Sequence, residues 1–176
     1  MDLNEYKQKL IKLREEMPSI LKDLAPTVSM SGKAIAERNI KEAGFGAKYS
    51  TNEMPAFLFY GKELNQQGSI YAQNAAKDEQ GITWGQFRKA QGLQNQFVDL
   101  SYSNEMWAGM FPRDPIVDGY KYIAPLGHNN QEGQNKMNYN YKRYGNFIYK
   151  ALGEKGVNQI ADVIQDEFLQ IIKSKL

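Results

Sequence analysis

Amphipathic helical patterns at the two ends of the chain constrain its fold more than any other feature of the sequence. Over residues 2–24, apolar side chains recur at steps of three and four positions, with Lys, Gln and Glu between them. Residues 154–173 repeat the pattern, with an apolar stripe made of Val157, Ile160, Val163, Ile164, Phe168, Ile171 and Ile172. Because such a stripe covers one side of a helix, each segment is predicted to be a helix packed on the core.

Prolines and glycines divide the N-terminal part of the chain. Pro18 predicts a kink in the first helix and Ala25-Pro26 predicts its end, because proline lacks a backbone N–H and disfavours helical geometry in the residue before it. A second helix is predicted over residues 32–43. Gly44-Phe-Gly46 follows it and is interpreted as a helix C-cap and turn, since glycine accepts the left-handed conformation that ends many helices.

The middle of the chain is rich in glycine and in side-chain amides. Asn and Gln account for 28 of the 176 residues, and 20 of them lie between positions 60 and 147. Apolar burial alone would hardly order such segments. The stretches Asn65–Gln80 and Gly127–Asn140 are therefore predicted to be long loops that are either mobile or held by a neighbouring molecule.

Short ordered elements are predicted between these loops. Apolar or alternating runs indicate strands over residues 56–60, 97–100 and 116–123. Short helices are predicted over residues 84–90 and 104–110, the second with Ser103 as its N-cap. Trp84 and Trp107 are interpreted as core residues.

These elements predict an α+β fold, in which N-terminal and C-terminal helices pack on a small antiparallel sheet with long loops. The length suits a single domain over residues 1–176. Its expected parts are a helical segment 1–48, a loop-rich β segment 49–150 and a C-terminal helix 151–176.

The composition excludes several kinds of site. The chain has no cysteine and one histidine, which excludes disulfides, thiolate metal sites, cysteine nucleophiles and multi-histidine metal sites. No loop has phosphate-binding or calcium-binding spacing. We therefore expect no metal and no cofactor. Without a secretory signal or a run long enough to span a bilayer, the chain is expected to be soluble, to begin in a cytoplasm and to have no membrane partner.

The net charge of +2 conceals three segments of different sign. Nine basic residues oppose seven acidic ones over residues 1–48, six oppose nine over 49–132, and seven oppose four over 133–176, so the segments carry +2, −3 and +3. A negative middle between positive ends favours head-to-tail association of copies.

Candidates for acid–base chemistry are few. His128 lies in a Gly/Asn loop with no carboxylate or nucleophile at a suitable spacing, and is expected to be an exposed loop residue. The obvious carboxylate pairs are Asp78 with Glu79, Asp99 with Glu105, and Asp114 with Asp118. None of them lies in an apolar segment that would keep one carboxyl protonated, so hydrolase chemistry is not favoured.

A basic and aromatic run occupies residues 136–150, where four cations alternate with five aromatic side chains and no acid is present. The candidate interaction surface comprises Lys136, Tyr141, Lys142, Arg143, Tyr144 and Lys150. Three interpretations stay open. The run is a half-buried strand with its cations in water, a surface for another protein, or a contact for nucleic acid, whose phosphates bind cations and whose bases stack on aromatic rings.

Two neighbouring stretches resemble a known family. They are Thr83-Trp-Gly-Gln-Phe-Arg-Lys-Ala-Gln-Gly-Leu93 and Val98-Asp-Leu-Ser-Tyr-Ser-Asn-Glu-Met-Trp107. Together they resemble the Trp…Arg…Gly-Leu…Val-Asp-Leu-Thr…Gly-x-Met-Trp signature of the tail-completion or head–tail joining proteins, which are neck or virion morphogenesis proteins of long-tailed double-stranded DNA phages and prophages. The matching residues are Trp84, Arg88, Gly92, Asp99, Met106 and Trp107.

Further segments match the same family. They are the run from Lys33 to Gly46 with Tyr49-Ser50, and the closing Arg143-Tyr-Gly-Asn-Phe147, so that the resemblance touches most of residues 30–175. The chain departs from the family in two places. Asn104 stands where the family has glycine before the Met-Trp pair, and residues 65–80 have no counterpart. Asparagine can still adopt a left-handed conformation at that position.

The resemblance implies a structural protein of the virion neck, not an enzyme. It would assemble in the host bacterial cytoplasm as a ring, expected to be hexameric, and join the phage head connector to the tail-tube or tail-terminator proteins, with non-specific proximity to DNA. The alternative is a nucleic-acid-binding accessory protein that uses residues 136–150.

Overall fold

The computed structural model describes residues 2–100, 104–118 and 121–175. Long helices lie near both ends, the strands form two-stranded antiparallel sheets, and 66% of the structure is helical. The predicted α+β fold class is therefore confirmed. The chain forms two compact units: unit 1 comprises Met1–Asn39 and Glu105–Leu176, and unit 2 comprises Ile40–Asn104.

The elements follow one another with short connections. In chain order they are α1 Leu3–Ala43, β1 Met54–Pro55, a 3₁₀ turn Ala56–Phe59, α2 Gln66–Lys77, β2 Gly81–Ile82, α3 Trp84–Ala90, α4 Glu105–Ala108, β3 Met110–Pro112, β4 Ile116–Asp118, β5 Lys121–Ile123, β6 Leu126–His128, α5 Gln131–Tyr144 and α6 Phe147–Lys175. The strand pairs are β1 with β2, β3 with β6, and β4 with β5. None of the helices among the described residues is both long enough and apolar enough for a bilayer crossing.

Helix α1 continues through both prolines, so the predicted break at Ala25-Pro26 is wrong. Pro18 and Pro26 each remove one backbone hydrogen bond. Ile20 and Leu24 beside them are buried in a core cluster of unit 1 with Phe168, Ile171 and Ile172 of α6. Burying such side chains stabilises the helix by about 1.5–3 kcal/mol each. The tertiary packing therefore outweighs the local preference for a break.

Helix α6 begins earlier than the predicted start at residue 154. Its first turns run from Phe147, and a single non-helical residue, Gly153, with φ 56° and ψ −175°, interrupts the helix. The apolar stripe predicted over residues 154–173 lies in the part after this interruption. Gly44 has φ 71° directly after α1, as expected of a left-handed helix cap.

Unit 2 has its own small core. Ala56, Phe59, Ala72, Ala75, Ile82 and Phe87 form one buried cluster. The predicted strand 56–60 is wrong, because the chain forms a 3₁₀ turn there. Ala56 and Phe59 are both buried and stand three residues apart, a spacing that a 3₁₀ turn places on one face and a strand does not.

The strand predicted over residues 97–100 is also wrong, since the structure has no strand there. Its backbone bonds instead to irregular partners: the Val98 N–H donates to the Ala47 carbonyl, and the Asp99 N–H donates to the Tyr49 hydroxyl oxygen. Leu100 has φ 52°, which is incompatible with a continuing strand.

Both predicted amide-rich loops contain helices, so these loop predictions are wrong. Asn65 caps α2, its side chain accepting from the Gly68 N–H, and Asn130 caps α5 by accepting from the Gly133 N–H. The amides that suggested disorder therefore include two helix N-caps, which satisfy backbone donors that would otherwise lack partners. The mainly polar surfaces of these helices concealed their periodicity.

The remaining short elements agree more closely with prediction. Helix α3 has the predicted bounds, Trp84–Ala90. The predicted helix 104–110 is α4, Glu105–Ala108, and its expected cap Ser103 lies outside the described residues. Asn104 has φ 58°, a left-handed conformation that asparagine can adopt. The predicted strand 116–123 is divided into β4 and β5, which pair with each other.

Candidate functional site

Helix α3 holds the first half of the family-like signature in unit 2. Thr83 and Gln86 form a reciprocal capping box at its start. At its end the Gly92 N–H donates to the Lys89 carbonyl and the Leu93 N–H donates to the Arg88 carbonyl. This pair of bonds is a Schellman motif, whose turning residue needs a positive φ, and Gly92 has φ 76°. The Gly-Leu pair of the signature is thus explained as a helix stop.

Trp84 and Phe87 pack on the core of unit 2. The Trp84 ring stacks on the Phe59 ring with centroids 5.7 Å apart, and the centroid of the Phe87 ring lies 4.7 Å from that of Phe59. Phe87 is fully buried and Trp84 is partly buried. The interpretation of Trp84 as a core residue is consistent with this packing.

Arg88, Asp99 and Tyr49 form one cluster inside unit 2. The Arg88 Nη2 donates to Asp99 Oδ2 over 2.6 Å, and its Nε donates to the Gln94 carbonyl over 2.9 Å. The Tyr49 hydroxyl donates to the second carboxylate oxygen of Asp99 over 2.9 Å. The guanidinium also lies 5.1 Å from the centroid of the Tyr49 ring, within the range of a cation–π contact.

The charges of this cluster balance one another, and its polar groups bond to one another. Burial raises the pKa of the Tyr49 hydroxyl well above its ordinary value of 10.0, so Tyr49 stays a hydrogen-bond donor. Asp99 is matched by Arg88, and both of its carboxylate oxygens accept bonds. A carboxylate held in this way is a structural anchor for the chain between α3 and Asp99 and is unsuited to be a nucleophile.

The Met-Trp pair that ends the signature lies in unit 1. Met106 and Trp107 of α4 are buried, Trp107 completely. The Trp107 ring meets Phe147 edge to face with centroids 6.1 Å apart, and the Asn140 side-chain amide donates to the Met106 sulfur. Phe147 closes the Arg143–Phe147 segment that also matched the family. Trp107 is therefore a core residue, as predicted.

His128 is buried, so its predicted exposure is wrong. It is the last residue of β6, and its ring lies beneath Gly109 and Gly133, where a side chain on either glycine would overlap the ring. The Asn130 N–H donates to Nδ1 over 3.1 Å, and Nε2 lies 3.1 Å from the Glu105 carbonyl oxygen. A carbonyl can only accept, so the ring carries its proton on Nε2. Both nitrogens are engaged, which leaves no free general base.

The basic and aromatic run 136–150 forms the last turns of α5 and the start of α6, so the half-buried strand interpretation is wrong. Three of its tyrosines are largely exposed: Tyr139, Tyr141 and Tyr149 are 59%, 59% and 63% exposed. The run therefore presents tyrosines to solvent, as a surface for a partner requires.

Three of the four cations in this run are engaged within the protein. Lys136 contacts Glu105 over 2.5 Å and Glu132 over 2.9 Å, and the hydrogen bond to Glu105 raises its pKa. Arg143 donates to the Tyr139 hydroxyl, which raises the pKa of the guanidinium. Lys150 donates to the Tyr144 backbone carbonyl over 2.6 Å. Separately, burial of the Tyr144 side chain raises the pKa of its hydroxyl. Tyr141 and Lys142 complete the predicted surface and are exposed.

The carboxylates considered from the sequence lie in different surroundings. Asp99 is buried with Arg88, and Glu105 pairs with Lys136. Asp78 is the C-cap of α2, and Asp118 ends β4. Among residues 2–100, 104–118 and 121–175, no group of three acidic or histidine side chains is arranged to hold a metal ion.

A second feature of unit 2 was missed from the sequence. A cavity of about 390 Å³ is lined by apolar side chains of Met54–Phe57 and Ala76, with the exposed acids Glu53 and Glu79 beside them. The signal is the apolar run Met54–Tyr60, of which only residues 56–60 were predicted to be ordered, as a strand. Likewise, the sequence gives Tyr49 only as part of the family-like pair Tyr49-Ser50, although it completes the Arg88–Asp99 cluster.

No family model matches the chain, and no curated protein or solved structure matches it.

Proposed function

We propose that this chain is a structural protein of the neck of a long-tailed double-stranded DNA phage or prophage. It would act without catalysis, as a ring that joins or completes the connection between the head and the tail tube. The observation that carries the proposal is the Tyr49–Arg88–Asp99 cluster. These residues come from three separate segments of the family-like pattern and converge on one buried set of contacts.

The convergence supports the resemblance because unrelated matches scattered over fifty residues have no reason to touch. The same reasoning applies to Trp107, from the stretch that also holds Asp99, and Phe147, from the Arg143–Phe147 segment, which pack edge to face. All these residues serve packing, as expected of a signature that specifies a scaffold. Exposed apolar side chains, including Phe57, Leu58 and Tyr60, provide contact surface for partners.

Deletion of the gene in the phage that encodes it is the direct test. We expect lysates with DNA-filled heads and separate tails in electron micrographs, and restored particles when the intact chain is supplied from a plasmid. Immunogold labelling of complete particles should mark the neck. Normal yields of infectious particles after deletion, with no label at the neck, would overturn the proposal.

A second candidate function is nucleic-acid binding by the exposed tyrosines of α5. Tyr139 and Tyr141 are each 59% exposed, and Lys142 beside them makes no ion pair among the described residues. Such binding should weaken steeply as salt rises, because cations that bind phosphates displace counterions. It should be lost on replacing Lys142→Glu together with Arg143→Glu. If neither DNA nor RNA is retarded on a gel at low salt, this candidate is dismissed.

A further inference from the structure

The first turns of α1 carry an apolar stripe that is open to solvent. Leu3, Tyr6 and Leu10 are 81%, 39% and 42% exposed. They continue, at alternating steps of three and four, the row in which Leu13 is the first buried member and packs with α6. The row is therefore exposed along the part of the helix before Leu13, which is about 15 Å long at 1.5 Å per residue. From Leu13 onward it has buried members, Leu13, Ile20 and Leu24.

The position of α6 explains this change. Lys175, the last residue of α6, forms an ion pair with Glu16 of α1. The described part of α6 therefore ends beside α1 at about the turn that holds Leu13 and Glu16. Leu10 and Arg14 also line a cavity together with Tyr122 of β5, whereas Leu3 is 81% exposed. A helix with an exposed apolar row is the form that peptide-binding grooves accept.

The exposed turns are also basic. Residues 2–14 contain four basic and two acidic side chains, which gives a net charge of +2. Lys7 and Arg14 are exposed on α1. The basic residues of this segment are Lys7, Lys9, Lys12 and Arg14, and the acidic ones are Asp2 and Glu5.

The cavity in unit 2 has the complementary character. Its volume of about 390 Å³ falls within the range of ligand pockets, and its apolar wall includes Met54 and Phe57, which are 37% and 59% exposed. Glu53 and Glu79 line it, and neither carboxylate forms an ion pair among the described residues. An apolar cavity lined by unpaired acids suits a basic amphipathic helix.

We propose that residues 2–14 of one copy dock on the cavity of unit 2 of a second copy. The side chains of the apolar row contact the apolar lining of the cavity near Phe57, while Lys7 and Arg14 face Glu53 and Glu79. Opposite charges at the edge of such a contact set its orientation and speed its formation. The contact joins two different surfaces, so each pair of copies retains one free surface of each kind and further copies can add.

This inference deepens the proposed function, because a neck ring needs a contact between neighbouring copies. It is tested on purified full-length protein without a phage. The docking contact can therefore fail while the neck assignment stands, and a failed deletion test would not affect the measurement below.

Charge reversal on each surface provides the experiment. The first variant carries Lys7→Glu and Arg14→Glu, and the second carries Glu53→Lys and Glu79→Lys. A control variant carries Lys22→Glu and Lys155→Glu, which change the net charge as much as the first variant but lie outside both surfaces. Sedimentation velocity over a concentration series at low salt measures the self-association of each protein, alone and in mixtures.

We expect wild type and control to associate, and each surface variant to associate at least about tenfold more weakly. Mixing the two surface variants should restore association, because each supplies the charge that the other has lost. A wild type that stays monomeric at every concentration would overturn the proposal. Association that survives in both variants, or a mixture that stays dissociated, would overturn it as well, since another surface would then join the copies.

Discussion

The Arg88 guanidinium lies 2.6 Å from the Asp99 carboxylate, with the two side chains only 2% and 6% exposed. Removing charges from water is costly, and a buried pair compensates for this only when its geometry is good and its remaining groups are bonded. Gln94 and Tyr49 supply those additional bonds. The pair therefore specifies how the segment after α3 folds back on the helix.

Breaking this pair should destabilise unit 2 strongly. Arg88→Met or Asp99→Leu alone is expected to lower the free energy of unfolding by about 3–5 kcal/mol, because each leaves one buried charge without a partner. The double replacement should cost much less than the sum of the two. Urea unfolding of the four proteins measures this coupling, and additive effects would show that the charges do not depend on each other.

Tyr49→Phe should change the stability of the protein in alkali. The raised pKa of the Tyr49 hydroxyl means that the folded state holds this proton more tightly than the unfolded chain, whose tyrosines titrate near 10.0. Its stabilising effect is therefore complete below pH 10 and is lost as the pH rises above that value. The variant should lose about 1 kcal/mol at neutral pH and show a shallower decline above pH 10.

Urea unfolding at a series of pH values up to the alkaline limit of reversibility provides the measurement for Tyr49→Phe. Burial also raises the pKa of Tyr144, so the alkaline decline should be reduced in the variant and not abolished. Parallel curves for the variant and wild type would contradict the assignment of a tightly held proton to Tyr49.

Gly133→Ala should destabilise unit 1 because the new methyl group would overlap the His128 ring. Overpacking of this kind costs about 1–3 kcal/mol. Gly32→Ala is a matched control in the same unit, since a methyl group there would make only an ordinary contact 3.5 Å from Ile160. The control should be neutral or stabilising, as expected of alanine in a helix. Equal thermal midpoints for both variants would contradict the burial of His128.

Pro26→Ala should stabilise the protein because α1 is continuous through this position. Alanine restores a backbone N–H and removes the steric conflict with the preceding turn, worth up to about 3 kcal/mol in a helix interior. Thr27→Ala, at the neighbouring helical position, should give a smaller gain. Thermal unfolding and helical circular dichroism compare the two variants, and an unchanged Pro26→Ala protein would indicate that the chain already turns at Ala25-Pro26.

The sequence was sufficient for elements whose signals are local. Helix α3 has a capping box at Thr83 and a glycine stop at Gly92, and its predicted bounds agree with the structure. Both terminal helices were predicted from apolar periodicity. In the N-terminal case the prolines misled the prediction, because the burial of Ile20 and Leu24 depends on α6, which is distant in sequence.

Features that depend on distant contacts could not be predicted. The sequence around His128 does not indicate that Gly109, Gly133 and the Glu105 carbonyl enclose its ring. The resemblance names both Arg88 and Asp99, but their pairing could not be predicted, since many acids were available to each base. Helices α2 and α5 did carry a local signal, an asparagine followed three residues later by glycine, which was hidden by their polar composition.

The glycines that enclose His128 bear on how remote relatives of this chain can be recognised. Since the imidazole occupies the space where side chains at Gly109 and Gly133 would lie, the three positions are expected to vary together during evolution. A homologue with a smaller residue in place of His128 would be free to carry alanine at both glycines. A sequence comparison that scores each position independently would count three separate substitutions, although all three follow from the loss of the one imidazole ring.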